Sequence, residues 1–151
     1  MPTVRRSRTV SAPPEAVWDL VADPAHLPRW WPDVERVEDA SGLEWTTVQR
    51  SSQGRPIRAD FTRLRAERPR LLRWRQEVDE TPFEGFLAEA ETSCTLHPVE
   101  GGRATCVELE ARERLRGVST LGGFMVRRAT RRRLDQALDG LAYVIEPGEP
   151  G

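Results

Sequence analysis

Pro14-Glu15-Ala16-Val17-Trp18-Asp19-Leu20-Val21-Ala22-Asp23-Pro24, continuing through His26-Leu27-Pro28-Arg29-Trp30-Trp31-Pro32-Asp33-Val34, is the stretch that decides the fold. Pro13 and Pro14 suit the first positions of a helix, where a missing N–H costs nothing. Val17, Leu20 and Val21 then fall on one face, and Asp23-Pro24 ends the helix. A second short helix is expected over residues 25–31, closed by Pro32. Upstream, residues 3–11 read as a strand with weak alternation. Downstream, the period of the apolar residues changes from helical to two.

Six segments follow with that shorter period, near 34–40, 43–51, 57–68, 71–78, 86–97 and 105–115. Turn signals separate them: Ser41-Gly42, Gln53-Gly54, Arg68-Pro69, the loop from Glu80 to Gly85, and Glu100-Gly101-Gly102. With the first segment they make seven candidate strands, and the short connections favour antiparallel neighbours. Residues 117–123 break the pattern, and a helix of about five turns is expected from there to near residue 145. The Pro- and Gly-rich end, 147–151, is expected to be disordered. With no internal repeat and no linker, residues 1–146 read as one domain.

The 151 residues are enough to bury a substantial core. Apolar residues at 38% beside 31% charged describe a soluble globular chain. No run approaches the ~18 apolar residues of a membrane-spanning helix. Met1-Pro2-Thr3-Val4-Arg5-Arg6 has charge with no apolar region behind it, so no export signal is expected and the cytoplasm is the default location. The net charge of −1 argues against general affinity for nucleic acid. The run Arg127-Arg128-Ala129-Thr130-Arg131-Arg132-Arg133 is the local exception, read as a solvated helix with some ion pairs rather than a phosphate-binding patch.

The order of strand, two short helices, six strands and a long helix resembles the helix-grip superfamily called SRPBCC. That superfamily includes START domains and polyketide cyclase/dehydrase-like proteins. Ala12-Pro13-Pro14-Glu15-Ala16-Val17-Trp18 and Trp30-Trp31-Pro32-Asp33-Val34 carry the resemblance, which runs from about Val4 to Ile145. It implies an α+β helix-grip fold: a curved seven-stranded antiparallel sheet wrapped around the long C-terminal helix, with two short helices after the first strand. It also implies a cavity between sheet and helix.

Alternation identifies the dry face of such a sheet. Phe86, Ala88, Ala90, Thr92, Cys94 and Leu96 share one face of the sixth segment. Val107, Leu109, Ala111 and Leu115 share a face of the seventh, with Glu113 among them, and Leu72, Trp74, Gln76 and Val78 share one of the fifth. In the fourth, Ile57, Ala59 and Phe61 give way to Leu64 and Ala66 on the opposite parity. That slip predicts a bulge near Thr62 or Arg63. Cys94 and Cys106 fall on opposite faces, so two free thiols are expected.

On the C-terminal helix, Leu134, Leu138, Leu141 and Ile145 form the sheet-facing stripe. Carried backwards, it reaches Arg131, Arg127 and Phe124. Two hypotheses follow. Glu113 either pairs with Arg127 or Arg131 as a structural tie, or an arginine enters the cavity and holds a ligand carboxylate. The candidate ligand-binding residues are therefore Phe61, Trp74, Gln76, Phe86, Ala90, Thr92, Leu109, Glu113, Phe124, Arg127 and Arg131. Trp18, Trp30 and Trp31 read as packing anchors. Phe83 and Phe86, flanking Gly85, could form a lid.

Catalytic motifs are missing. His26 and His97 lack metal-ligand spacing, and no phosphate loop, dinucleotide fingerprint or nucleophile elbow is present, so neither metal nor cofactor is expected. Three functions remain. The first is a carrier or sensor for a hydrophobic small molecule, lipid or polyketide-like, that in one reading bears an acidic group. The second is a polyketide aromatase/cyclase using metal-free acid–base catalysis. The third is a protein-interaction or chaperone-like module. Stable membrane insertion is not expected, and the chain is read as a monomer or homodimer.

Overall fold

The computed structural model describes residues 3–51, 53–117 and 119–146; the tail expected to be disordered lies outside them. In chain order the elements are β1 (Thr3–Val10), α1 (Pro14–Val21), a 3-10 turn at Pro24–His26, α2 (Leu27–Trp30), β2 (Val34–Glu38), β3 (Glu44–Arg50), β4 (Pro56–Glu67), β5 (Leu71–Glu77), a 3-10 turn at Pro82–Gly85, β6 (Leu87–Val99), β7 (Ala104–Leu115) and α3 (Thr120–Ile145). The expected second helix is thus split. The Asp23 carboxylate accepts the Ala25 N–H at 3.0 Å and starts a tighter turn before α2.

The strands form one antiparallel sheet in the order β1-β7-β6-β5-β4-β3-β2. This is the expected α+β helix-grip fold. Three register shifts interrupt the ladder: between Val34 and Arg36, between Arg63 and Arg65, and between Leu87 and Glu89. Each extra residue bends its strand, and together they give the sheet its curvature. The β4 bulge falls at Leu64, just beyond the expected position. The β6 bulge was not visible in the alternation. It shifts the parity before Glu89, so Leu87 lines the cavity beside Ala90 while Ala88, also buried, does not.

The C-terminal helix begins earlier and is longer than its sequence suggests. Its 26 residues make about seven turns. Gly122 and Gly123 disfavour a helix, but the Ser119 hydroxyl accepts the Gly122 N–H at 3.0 Å and caps the first turn. Two exposed ion pairs, Arg6 with Asp135 and Arg8 with Asp139, lie between β1 and α3.

The packing of α3 is uneven along its length. Its C-terminal half buries Leu134, Ala137, Leu138, Leu141 and Ala142 beside β1, α2 and β7, in one core with Val4 and Val10 of β1, Leu27 and Trp30 of α2, and Val107 and Leu109 of β7. Cys94 and Leu96 of β6 and the buried face of α1 join the same core. Each buried leucine contributes on the order of 1.5–3 kcal/mol. Its N-terminal half contributes Gly123 and Thr130 as its buried residues. Thr105, fully buried on β7, donates to the Ala12 carbonyl at 2.8 Å and anchors the approach to α1.

Gly140 is where α2 meets α3. A Cβ there would lie 3.1 Å from the Trp30 carbonyl carbon and closer still to its oxygen. Both are backbone atoms, so relief requires moving a helix. Gly140→Ala should therefore destabilise the protein by about 1–3 kcal/mol in chemical denaturation. Helix propensity alone predicts a gain of about 1 kcal/mol; observing that gain would refute the close approach.

Candidate functional site

Between the bent sheet and the N-terminal half of α3 lies a cavity of about 280 Å³. That is near the lower end of the ~300–1,000 Å³ of small-molecule sites. One wall is aromatic. Trp45 stacks on Phe61 with centroids 5.8 Å apart and planes at 11°. Trp74 meets Trp45 edge-on at 6.5 Å and Trp31 at 6.1 Å. Phe83 and Phe86, 6.2 Å apart, sit together at one side of the opening, and Phe86 is 41% exposed. The geometry follows from the register: Trp45 pairs with Phe61 across β3 and β4, and Trp74 with Thr92 across β5 and β6.

Few polar groups interrupt this wall, and two stand without partners. Thr47 Oγ1, on a residue only 3% exposed, and Gln76 Nε2 are buried, line the cavity and have no hydrogen-bond partner. Leaving a buried donor or acceptor unmade costs about 1–3 kcal/mol. Thr92 and Gln49 also line the space, and Ala59, Ala90 and Ala111 leave it open.

Under α3 the charge is arranged differently from the sequence-based expectation. Thr130 Oγ1 donates to Glu113 Oε1 at 2.6 Å, and an Arg133 guanidinium nitrogen lies 3.9 Å from Glu113 Oε2. Glu113 therefore meets Thr130 and Arg133, not Arg127 or Arg131. Extending the apolar stripe back from Leu134 in steps of four reaches Thr130 and Val126, whereas a step of three and then one of four reaches Arg131 and Arg127. The helix takes the four-residue step. That turns Arg131 outward, leaves Arg127 half-buried beside the stripe and leaves Phe124 53% exposed.

Of the sequence-selected candidates, Phe61, Trp74, Gln76, Phe86, Ala90, Thr92 and Glu113 come together around the cavity. Leu109 is fully buried in the packed core beneath α3 and does not line it. Phe124, Arg127 and Arg131 are also not on its wall. Trp18 and Trp30 are buried anchors as expected, but Trp31 lines the space. Sequence reasoning missed Trp45, Thr47 and Gln49 of β3 and Val126, Ala129, Thr130 and Arg133 of α3, all of which line the space. The three β3 residues occupy alternate positions in Glu44-Trp45-Thr46-Thr47-Val48-Gln49 and so share a face.

Arg63 lies outside this space. Its guanidinium sits 5.9 Å from the Trp45 centroid and donates to the Ala22 carbonyl, tying β4 to the end of α1 and backing the aromatic wall. Partial burial lowers its pKa. Cys94 is buried and Cys106 partly so, and both thiols are free. Burial pushes the Cys94 thiol up to about 12. Among the described residues, no group of histidines, cysteines and carboxylates could hold a metal, and no helix is long and apolar enough to cross a membrane.

A bent antiparallel sheet gripping a C-terminal helix over an apolar hollow defines a START-like helix-grip protein. The chain belongs to the family of polyketide cyclase/dehydrase and lipid-transport proteins, whose model matches residues 1–146. No curated protein matches the sequence. The fold is similar to that of BexL, a di-domain ARO/CYC of the BE-7585A biosynthetic pathway, with 25% identity and a TM-score of 0.78. That alignment covers 97% of this chain but 47% of BexL, so the chain spans about half of its length. It also resembles the Zhui aromatase/cyclase of Streptomyces sp. R1128, at 18% identity and TM-score 0.74 over 96% of this chain and 93% of the other. A START superfamily protein of Mycobacterium smegmatis aligns at 14% identity and TM-score 0.76 over 96% and 97%.

Thr130→Val keeps the volume but strips Glu113 of its hydroxyl donor, and should cost about 1–2 kcal/mol in urea denaturation. Arg131→Ala should stay within about 0.5 kcal/mol; the reverse order would restore the arginine tie. The native protein should also expose one reactive thiol, Cys106, with the second appearing only on unfolding. Because the folded Cys94 pKa exceeds the reference value of 9.0, its protonated form is favoured by folding, and stability should fall as pH rises from about 9 toward 12.

Proposed function

We infer that the protein binds a hydrophobic, ring-bearing small molecule in the cavity beneath α3 and acts as its carrier or sensor. The observation that carries this reading is the aromatic wall of Trp31, Trp45, Phe61 and Trp74 facing two unpartnered polar atoms, Thr47 Oγ1 and Gln76 Nε2. Flat apolar rings stack offset or edge-on against such side chains. An oxygenated edge of the ligand would accept from the Gln76 amide, and a hydroxyl there would satisfy Thr47. Family membership, with lipid transport in its description, supports the same reading. The open interior weighs against a role purely as an interaction module.

A second reading, polyketide aromatase/cyclase activity, draws on Glu113. It is a carboxylate beside the cavity, held by Thr130 and near Arg133, and it is positioned to accept a proton from a bound chain. The similarity to BexL supports this alternative. Orientation by the aromatic wall would supply much of the effect for a chain that closes on itself. Turnover of a poly-β-ketone thioester mimic, abolished in Glu113→Gln, would favour the enzyme; binding without turnover favours the carrier.

Three tryptophans line the space, so occupancy should be directly visible. Titration with an anthraquinone carboxylic acid is expected to quench intrinsic fluorescence saturably. Ala90→Phe, which fills the hollow, should weaken binding at least tenfold while leaving the thermal midpoint unchanged or raised. Equal quenching of the wild-type and filled proteins would overturn the proposed site.

A further inference from the structure

The outward face of α3 beside the cavity opening is unusual in two ways at once. At 100° per residue, Leu121, Phe124, Met125, Arg128, Arg131 and Arg132 fall within an arc of about 120°, centred about 110° round the helix from the Leu134, Leu138 and Leu141 stripe. The three apolar members are 68%, 53% and 62% exposed. Large apolar side chains clustered on a surface mark a place that something covers. The three arginines are exposed, and among the described residues none of them makes an ion pair, whereas Arg133 faces Glu113 and the next carboxylates on the helix, Asp135 and Asp139, are already paired with Arg6 and Arg8.

This face adjoins the opening. Val126, Ala129 and Thr130 of the same turns line the cavity. The Arg116 N–H donates to the Phe86 carbonyl at 2.9 Å, which brings the approach to α3 alongside the exposed Phe86. Glu84, the acidic residue nearest Phe86 in sequence, accepts the Glu80 N–H within its own turn. The lip therefore presents the exposed Phe86 beside a single carboxylate held in its own turn, and the helix behind it is cationic. That combination complements an interface whose surface is anionic and whose interior is apolar.

We propose that this face docks the protein reversibly on anionic lipid bilayers. Leu121, Phe124 and Met125 enter the headgroup layer, and Arg128, Arg131 and Arg132 lie against the charged surface. An amphipathic helix with apolar residues beside basic ones binds in this way, through buried apolar area plus attraction to anionic lipid. The exposed apolar area is too small for insertion, so the contact is peripheral and weakened by salt. Docking would set the opening against the phase in which a hydrophobic cargo dissolves. That purpose rests on the cavity reading; the docking itself does not.

Co-sedimentation of the full chain with vesicles tests it. Vesicles of phosphatidylcholine with an equal part of phosphatidylglycerol should bind the protein, vesicles of phosphatidylcholine alone much less, and raised salt should release it. Arg128→Gln with Arg132→Gln should lower partitioning by roughly 25-fold, about fivefold per arginine. Phe124→Ser with Met125→Ser should lower it at least tenfold. Both double variants should keep wild-type quenching by the anthraquinone acid, so loss of docking is distinguishable from loss of the cavity site. Equal binding to both vesicle types, no binding to either at low salt, or undiminished binding by the variants would overturn the proposal. So would salt-sensitive capture by an acidic protein with no affinity for vesicles.

Discussion

The structure depends on α3 being packed at one end and held clear of the sheet at the other. Leu134, Ala137, Leu138 and Leu141 are buried, and Gly140 lets the backbone of α2 come within contact of the helix. One turn before Leu134 the cavity-lining residues are Thr130, Ala129 and Val126, and the partner on β7 becomes a half-buried glutamate instead of a leucine. A helix with leucine along its whole inner face would be drawn onto the sheet by burial of apolar area. The Thr130–Glu113 hydrogen bond fixes it at a distance instead.

Sheet curvature completes the hollow. The register shifts at Leu64 and Ala88 bend β4 and β6, and alanines at 59, 90 and 111 face the space between sheet and helix. Protein interiors are ordinarily close-packed. An unfilled volume bounded by aromatic side chains is a cost to stability, and so are the unpartnered atoms on Thr47 and Gln76. A ligand that fills the volume and meets those atoms removes both costs. Stability and binding are thus linked through the same few residues.

Much of the fold was legible in the chain. Pro14 and Asp23-Pro24 mark the ends of α1, and the alternation of β5 and β7 places Trp74, Gln76 and Glu113 on the inner face. The slip from Phe61 to Leu64 announces a bulge. Other features were not legible, for identifiable reasons. A stripe drawn only through large apolar residues of α3 admits steps of three or four, and the three-residue step led to Arg131 where the helix places Thr130. The β6 bulge leaves no trace in Leu87-Ala88, because both residues are apolar. The glycines at 122 and 123 concealed the start of α3, which Ser119 secures through a single cap. On β3, Trp45 and Thr47 carried the signal for the wall, but only the register with β4 shows that it meets Phe61.

The most direct measurement is native mass spectrometry of the protein purified from its own host under conditions that preserve noncovalent complexes. An added mass of a few hundred daltons, released on denaturation and absent from Ala90→Phe, is the expected result. A bare chain mass for the wild-type protein, or the same adduct on the filled variant, would contradict a cavity that holds cargo.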